Sequence, residues 1–380
     1  MPIIKKLIIL LIFVIFGFVI YKLMIDRRAI KTKYGIEGFR EGALFTSSTI
    51  DGELAAVKAG EVPASTKDAQ NIELPLKQYC IKGSYNSALT GYFINTEMIK
   101  YMFYRGCRFL DFELFSFDDE PYVAMSTDNT YSTIDTSNKV RLTDILTTIA
   151  TYAFLAPSTI LKDPVFIHFR IKTNNEKLYD KIGSIIENVL INKMYLDESG
   201  IAIPVNGDTI LGDIREKVII VLDKIYAPNY KNSSILAKYV NMESGYEVLR
   251  KYGYSELSNQ QYMSPFVYSD GITTDVSIMK MVMPDMINTW TSLFRNANYY
   301  PMVLNYGAQI VLYPFYKVDM YLGDYEKAFA DNKTAFVPMG KMITYLQEKL
   351  PGDSSVKPRV DVSGAAVPSA AAIENPFSTA

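Results

Sequence analysis

The sequence predicts an α/β protein, a (β/α)8 barrel preceded by one N-terminal transmembrane helix. Three observations carry that expectation. Short β-rich runs alternate with segments whose apolar residues fall at helical spacing, and the alternation lasts for about 275 residues, enough for eight strand–helix units. An uninterrupted apolar run, LIILLIFVIFGFVIY, occupies residues 7–21. No GxGxxG or GxxxxGK[ST] fingerprint is present to favour the doubly wound sheet, the other way of covering a parallel sheet with helices.

Taken in order, the apolar run extends past Lys22 through Leu23 to Ile25, so residues 7–25 are long enough to span a bilayer with the lysine snorkelling to the interface. No small-x-small cleavage site follows, which favours a retained anchor at 1–28 over a removed leader. Lys5 and Lys6 precede the run, whereas Lys22, Arg27, Arg28, Lys31 and Lys33 follow it. That bias places the C-terminal side, and the barrel with it, on the cytosolic side of a single-pass protein. Residues 29–73 are rich in Gly, Ala, Glu, Thr and Ser without sustained periodicity and read as a juxtamembrane spacer. The barrel occupies 74–350. Within it LKQYCIKGS, CRFLDFELFSF, PVFIHFRI, KVIIVLDKI and AQIVLYPF read as strands. NTEMIKYMFYRG, LTDILTTIATYAFL and NEKLYDKIGSIIENVLINKM read as helices. Residues 351–380 have the Pro/Ser/Ala bias of a disordered tail.

Composition excludes several functions. The chain has 380 residues, 49% of them hydrophobic and 21% charged, which supports a large core. A net charge of −2 gives no basis for a nucleic-acid partner. Histidine occurs once, at His168, so neither a His-rich metal site nor a paired imidazole acid and base can be built. Cysteine occurs twice, at Cys80 and Cys107, too few for a disulfide scaffold or a zinc site made largely of Cys and His. Cys107 reads as core packing rather than a nucleophile. Two glycosylation sequons, at Asn232 and Asn332, carry little weight alone.

Five segments, in order, resemble the barrel of phosphatidylinositol-specific phospholipase C, in particular its eukaryotic X and Y halves. They are IKGSYNSALTG (81–91), EMIKYMFYRGCRFLDFELFSFDDEPYVAMST (97–127), DPVFIHFRIKTNN (163–175), ILGDIREKVIIVLDK (210–224) and ANYYPMVLNYGAQIVLYPFYKVDMYLGDYEKAF (297–329). The resemblance implies a barrel of the phospholipase-C-like phosphodiesterase type. In that family two histidines act as acid and base while the inositol 2-hydroxyl attacks the phosphodiester. A calcium ion held by an asparagine and three acidic residues neutralises the developing charge.

Carried over residue by residue, that machinery is broken. The histidine positions fall on Tyr85 and Met125. A phenol is a poor base near neutral pH, and a thioether transfers no proton. Of the calcium ligands, Asn86 matches, and Asp111 and Glu113 match with their order exchanged, but the third acidic position is Arg170, which cannot ligate a cation. Strand alternation puts Asp111 with Glu113, and His168 with Arg170, on single faces, so the expectation is that Arg170 fills the calcium volume and pairs with one of the two acids. His168 itself reads as a satisfied core histidine. The segment that grips the inositol phosphates corresponds to KMVMP, with Met281 and Met283 in the arginine and tyrosine places; the phosphate-reading lysines fall on Val221 and Asp223. These substitutions remove the charge-assisted contacts that bind phosphate.

The function expected from the sequence is therefore a membrane-anchored, catalytically inactive phospholipase-C-like barrel that binds or scaffolds through the loops at its C-terminal face. Its partner would be a protein or a lipid headgroup, and no metal cofactor is expected. The alternatives are an active phosphoric diester hydrolase with a rebuilt site using Asp111, Glu113, Arg170 and Tyr85, and a structural component of a membrane or virion.

Overall fold

The computed structural model describes residues 49–59, 66–126, 134–156, 158–258, 279–285 and 296–349, with a short strand pair at 359–360 and 366–367. The apolar run at 7–25 and most of the tail at 351–380 lie outside the described residues. Among those described, no helix is long and apolar enough to cross a membrane.

The described residues begin with helix α1 (Ile50–Lys58), inside the segment that composition marks as a spacer. Strand β1 (Tyr79–Ser84) follows, then α2 (Thr96–Tyr104) and β2 (Phe109–Phe117). Two antiparallel strands, β3 (Glu120–Ala124) and β4 (Val140–Arg141), extend the sheet outward from β2. After α3 (Leu142–Tyr152) come β5 (Val165–Ile171), α4 (Lys177–Leu190), β6 (Val218–Asp223) and α5 (Ser234–Tyr239). Next are β7 (Met242–Ser244), β8 (Leu249–Gly253), α6 (Tyr254–Ser258) and β9 (Met279–Met283). The chain continues with α7 (Tyr299–Leu304), β10 (Ile310–Tyr313), α8 (Met320–Asn332), β11 (Phe336–Pro338) and α9 (Met339–Lys349).

Eight parallel strands close into a ring in the order β1-β2-β5-β6-β7-β8-β9-β10, with β1 pairing to both β10 and β2. This is the (β/α)8 barrel expected from the alternation. Among the described residues the regularity lapses where β7 and β8 are joined by four residues without a helix and meet at a single pair, Ser244 opposite Leu249. Strands buried on both faces need no polar alternation, and all six residues of β6 (VIIVLD) are buried. The helices show the stripe that such strands require. In α4, Leu178, Ile182, Ile186 and Leu190 recur at helical spacing and are buried against the barrel. Asn95 starts α2 by accepting the Glu97 backbone N–H at 2.9 Å, and Asp319 starts α8 by accepting from Leu322 at 3.0 Å.

Register sorts the interior into layers, because residues opposite one another on parallel strands share a face. Gly83, Phe109, Phe166 and Ile219 form one layer. Gly83 must be small, since a Cβ there would meet Leu312 at 2.5 Å. Above lie Asp111, His168, Val221 and Met242, and above those Glu113 with Arg170 and Asp223 with Ser244. The barrel is thus apolar in its lower half and charged toward the C-terminal ends of its strands, where such barrels carry their sites.

At the opposite end Arg108 is fully buried, donating to the carbonyls of Ala153 and Ile160 and to the Ser158 hydroxyl. Nearby, Asp163 accepts from the Ala69 N–H at 2.8 Å through Oδ2, but among the described residues its Oδ1 has no hydrogen-bond partner. Burial pushes the Asp163 carboxyl up to about 6. A carboxyl raised in the fold binds its proton more tightly there than in the unfolded chain, so its ionisation costs stability as pH climbs from about 4 to about 6. Asp163→Asn should accordingly gain about 1–2 kcal/mol in urea denaturation at pH 7 and little at pH 4.

Candidate functional site

The mouth of the barrel holds a closed cluster of charge built from three strand ends. Tyr85 and Asn86 leave the end of β1, where Asn86 takes a left-handed backbone conformation (φ 43°). That turn aims its N–H at Asp111 Oδ2, 3.0 Å away. Asp111 and Glu113 come from β2, and His168 and Arg170 stand directly opposite them on β5. Every one of these side chains is buried.

Arg170 is the hub. Its Nε donates to Asp111 Oδ1 at 2.9 Å and its Nη2 to Asp111 Oδ2 at 2.6 Å, a bidentate fork. Nη1 reaches Glu113 Oε1 at 2.7 Å, and Nη2 also donates to Asn86 Oδ1 at 3.0 Å. The guanidinium lies 4.7 Å from the centre of the Tyr85 ring, a cation–π contact that covers its remaining face. The expected pairing with one acid is in fact a pairing with both. Glu113 Oε2 is held by Lys172 at 2.9 Å and by the Ser126 N–H at 2.9 Å. His168 bonds Asp111 Oδ1 through Nδ1 at 2.8 Å and the Ser244 hydroxyl through Nε2 at 2.7 Å. The lone imidazole is a satisfied interior group that ties β2 to β7 through β5.

The charges balance: two carboxylates meet the guanidinium and one ammonium. Burial alone would raise the Asp111 carboxyl, but Arg170 and His168 hold it well below the usual carboxylate range. Glu113 is likewise lowered against burial by Arg170 and Lys172. Burial lowers the Lys172 ammonium despite the attraction of Glu113. Burial drives the Tyr85 phenol well above its ordinary value, although the Arg170 charge opposes the shift. Asp111, Glu113 and Tyr85 are thus all moved away from the near-neutral poise of a general acid or base.

A divalent cation needs free oxygen lone pairs. Here both Asp111 oxygens, both Glu113 oxygens and the Asn86 amide oxygen each accept from N–H donors of this chain. The residues at the position implied for calcium therefore do not fit a calcium ion. Arg170 brings a positive charge and Lys172 a second, and the donors are already spent on the acids.

The other positions singled out in the sequence sit around this cluster. Met125 is 5% exposed, beside Ser126 at the end of β3. Val221 is buried on the same layer as His168. Asp223 faces the interior and pairs with Lys251 of β8. Met281 lies opposite Lys251 on β9, and Met283, 6% exposed, ends that strand opposite Gly253. Sequence reasoning missed Lys172, Ser126, Ser244 and Lys251. It also missed Tyr316, whose buried hydroxyl has no hydrogen-bond partner among the described residues and whose phenol is pushed up by burial and by the Glu113 charge. Lys172 was within reach of the strand periodicity, two residues beyond Arg170. Cys80 and Cys107 are both free thiols in the core, where burial raises Cys107 to about 11.

Residues 72–224 match the family model of the phosphatidylinositol-specific phospholipase C X domain. That stretch is less than half of the chain and is consistent with a divergent relationship to the family. Among solved structures, PLC21 of S. officinalis superposes with a TM-score of 0.54 at 16% identity, over 83% of this chain and 44% of that protein. PLC21 of L. pealei superposes at 0.53 with 17% identity, over 70% of this chain and 37% of that protein. At such identities the likeness speaks for the fold, and the chain spans less than half the length of these two relatives. No curated protein matches the sequence. At the positions where the resemblance implies histidines stand Tyr85 and Met125, and the centre of the mouth is held by Arg170.

Proposed function

We propose that this chain is a membrane-anchored, catalytically inactive phospholipase-C-like barrel that serves as a binding or scaffolding module at a membrane surface. The observation that carries the reading is the saturation of the mouth. Asp111 and Glu113 are held ionised by Arg170 and Lys172, so neither can donate a proton near neutral pH. Tyr85 is held as the neutral phenol, so it cannot serve as a base. Met125 has no proton to transfer. What remains for function is the rim of loops around the mouth, where Tyr92, Tyr246, Val318 and Met320 are exposed. Such a surface suits a protein or lipid partner.

The competing reading, a phosphoric diester hydrolase rebuilt around Asp111, Glu113, Arg170 and Tyr85, makes the opposite forecast. Full-length protein in vesicles of phosphatidylinositol, with and without calcium, should release inositol phosphate no faster than empty vesicles, and a generic phosphodiester should fare the same. Turnover that disappears in Glu113→Gln would establish the hydrolase. Topology has its own test. Asn232 is exposed and Asn332 is buried, with its amide bonded to the Ala328 carbonyl. A cytosolic barrel expressed through the secretory membrane carries no glycan. An enzyme-sensitive mass increase lost in Asn232→Gln would place the barrel on the opposite side.

A further inference from the structure

Before entering β1 the chain runs as a strap, residues 66–75, across the base of the barrel at the starts of β5 and β6. Little apolar surface holds it there. Thr66 and Ala69 are buried, Ile72 and Leu74 are half-buried, and Lys67, Gln70, Asn71 and Glu73 are exposed. Hydrogen bonds tie it down instead. The Lys67 N–H donates to the Lys333 carbonyl at 2.8 Å, and the Tyr79 hydroxyl to the Asn71 carbonyl at 2.7 Å. The N–H groups of Gly212 and Leu211 donate to the Ile72 and Leu74 carbonyls at 2.8 and 3.1 Å. Two aspartates complete a reciprocal clasp. Asp68 Oδ1 accepts from the N–H groups of Leu161, Lys162 and Asp163 at 3.0, 2.7 and 3.1 Å, and Asp163 Oδ2 accepts from the Ala69 N–H at 2.8 Å. A segment held by hydrogen bonds over so little apolar contact opens at lower cost than the barrel beneath it.

The clasp leaves a carboxyl group short of both water and donors. Asp163 is fully buried, and its Oδ1 has no hydrogen-bond partner among the described residues. Facing it are Asp68 from the strap, Arg108 at the start of β2, Arg215 ahead of β6 and the neutral Tyr79 phenol of β1. The two guanidinium groups do not compensate it. Arg108 spends its Nη atoms on two carbonyls and a hydroxyl, and the Nε of each arginine is without a partner among the described residues. Burial and the neighbouring Asp68 carboxylate therefore favour the protonated form. We propose that the strap is a proton-operated latch, in which Asp163 keeps its proton while the strap is closed and surrenders it to water when the strap lifts from the base. Lifting returns Asp163 to an ordinary hydrated carboxyl, near 4, from the value of about 6 it has under the strap. Opening is thus coupled to proton loss, is favoured as pH climbs from about 4 to about 6, and levels off above that window. The base of the barrel is latched in mild acid and loosened at neutral pH. This device lies at the end away from the mouth and is independent of the anchored reading.

The test is hydrogen–deuterium exchange of the full-length protein in phosphatidylcholine vesicles, read at single amides and divided by each amide's intrinsic rate at each pH. The amides of Lys67, Ala69, Leu211 and Gly212 report the strap, and the buried Ile220 amide of β6, bonded to the Asn241 side chain, reports the barrel and the folding of each variant. The strap amides should exchange faster than Ile220, and their opening constant should rise about tenfold from pH 5 to pH 7. Asp163→Asn keeps an acceptor for Ala69 and removes the titrating group, so its opening constant should be flat with pH and lower than wild type at pH 7. Asp68→Asn keeps its Oδ1 acceptor while removing the like charge, and should move the rise to lower pH. Three results would each overturn the latch: strap amides as slow as Ile220 at every pH, an opening constant unchanged between pH 5 and pH 7, or a tenfold rise that survives Asp163→Asn.

Discussion

Replacing Arg170 with methionine should destabilise the barrel by about 3–5 kcal/mol, because removing one partner from a buried ion pair leaves the other charge uncompensated. The loss is expected at the upper end. Arg170 serves both carboxylates and Asn86 at once, and after its removal only Lys172 remains to face two buried acids. Arg170→Lys should fare better but still lose about 1–3 kcal/mol, since an ammonium cannot reproduce a fork that spans Asp111 and Glu113. Adding Asp111→Asn to Arg170→Met should recover part of the loss, as expected for residues in one network. Urea denaturation with each variant reads these differences. A loss below about 1 kcal/mol for Arg170→Met would mean that the cluster is wet and screened rather than closed.

The second large effect is acid sensitivity. Asp111 and Glu113 have folded pKa values depressed below their unfolded ones. Their contribution is fully present above the unfolded pKa, near 4, and is lost as pH falls through the folded pKa. For a buried carboxyl with a strongly depressed pKa, the amount at stake is about 2–3 kcal/mol. Stability should therefore hold from pH 7 to about pH 5 and fall steeply below pH 4. In Asp111→Asn the curve should start lower at pH 7 and fall less steeply below pH 4, because one of the two titrating groups has been removed and Glu113 remains. A wild-type curve with no slope between pH 4 and pH 2 would contradict the assigned charge states. The Asp163 effect has the opposite sign and a higher window, so the two can be separated on one pH series.

Much of this architecture was legible because it is written in long-lived patterns. Strand β5 reads as a strand from its β-branched and aromatic residues, and its alternation already placed His168 and Arg170 on one face. The meeting of Arg170 with the acids of β2 followed from that alternation and from the order of segments. Other features left no such trace. Helix α1 has two core residues, too few for a periodic signal, and it is held by a tertiary contact from Glu53 rather than by propensity. Strands β7 and β8 are short and lack a helix between them, so no alternation announced them. The backbone N–H of Ser126 carries no side-chain signature, and the bond from His168 to Ser244 joins residues far apart in sequence. Met281 and Met283 were read as pocket residues through resemblance, and β9 holds them as buried wall. Resemblance located positions; only the fold gave them neighbours.

In this barrel the chain's own cations, Arg170 and Lys172, fill the position where the resemblance implies a metal. Calcium titration of the full-length protein, followed by its thermal unfolding midpoint, shows whether those cations exclude the metal. A ligand that binds only the folded state stabilises it by RT ln(1 + [L]/Kd), about 2.7 kcal/mol at one hundred times Kd. With Arg170 and Lys172 in place, millimolar calcium and a chelator should give the same midpoint. A saturable rise with calcium, lost in Asp111→Asn or Glu113→Gln, would contradict the account.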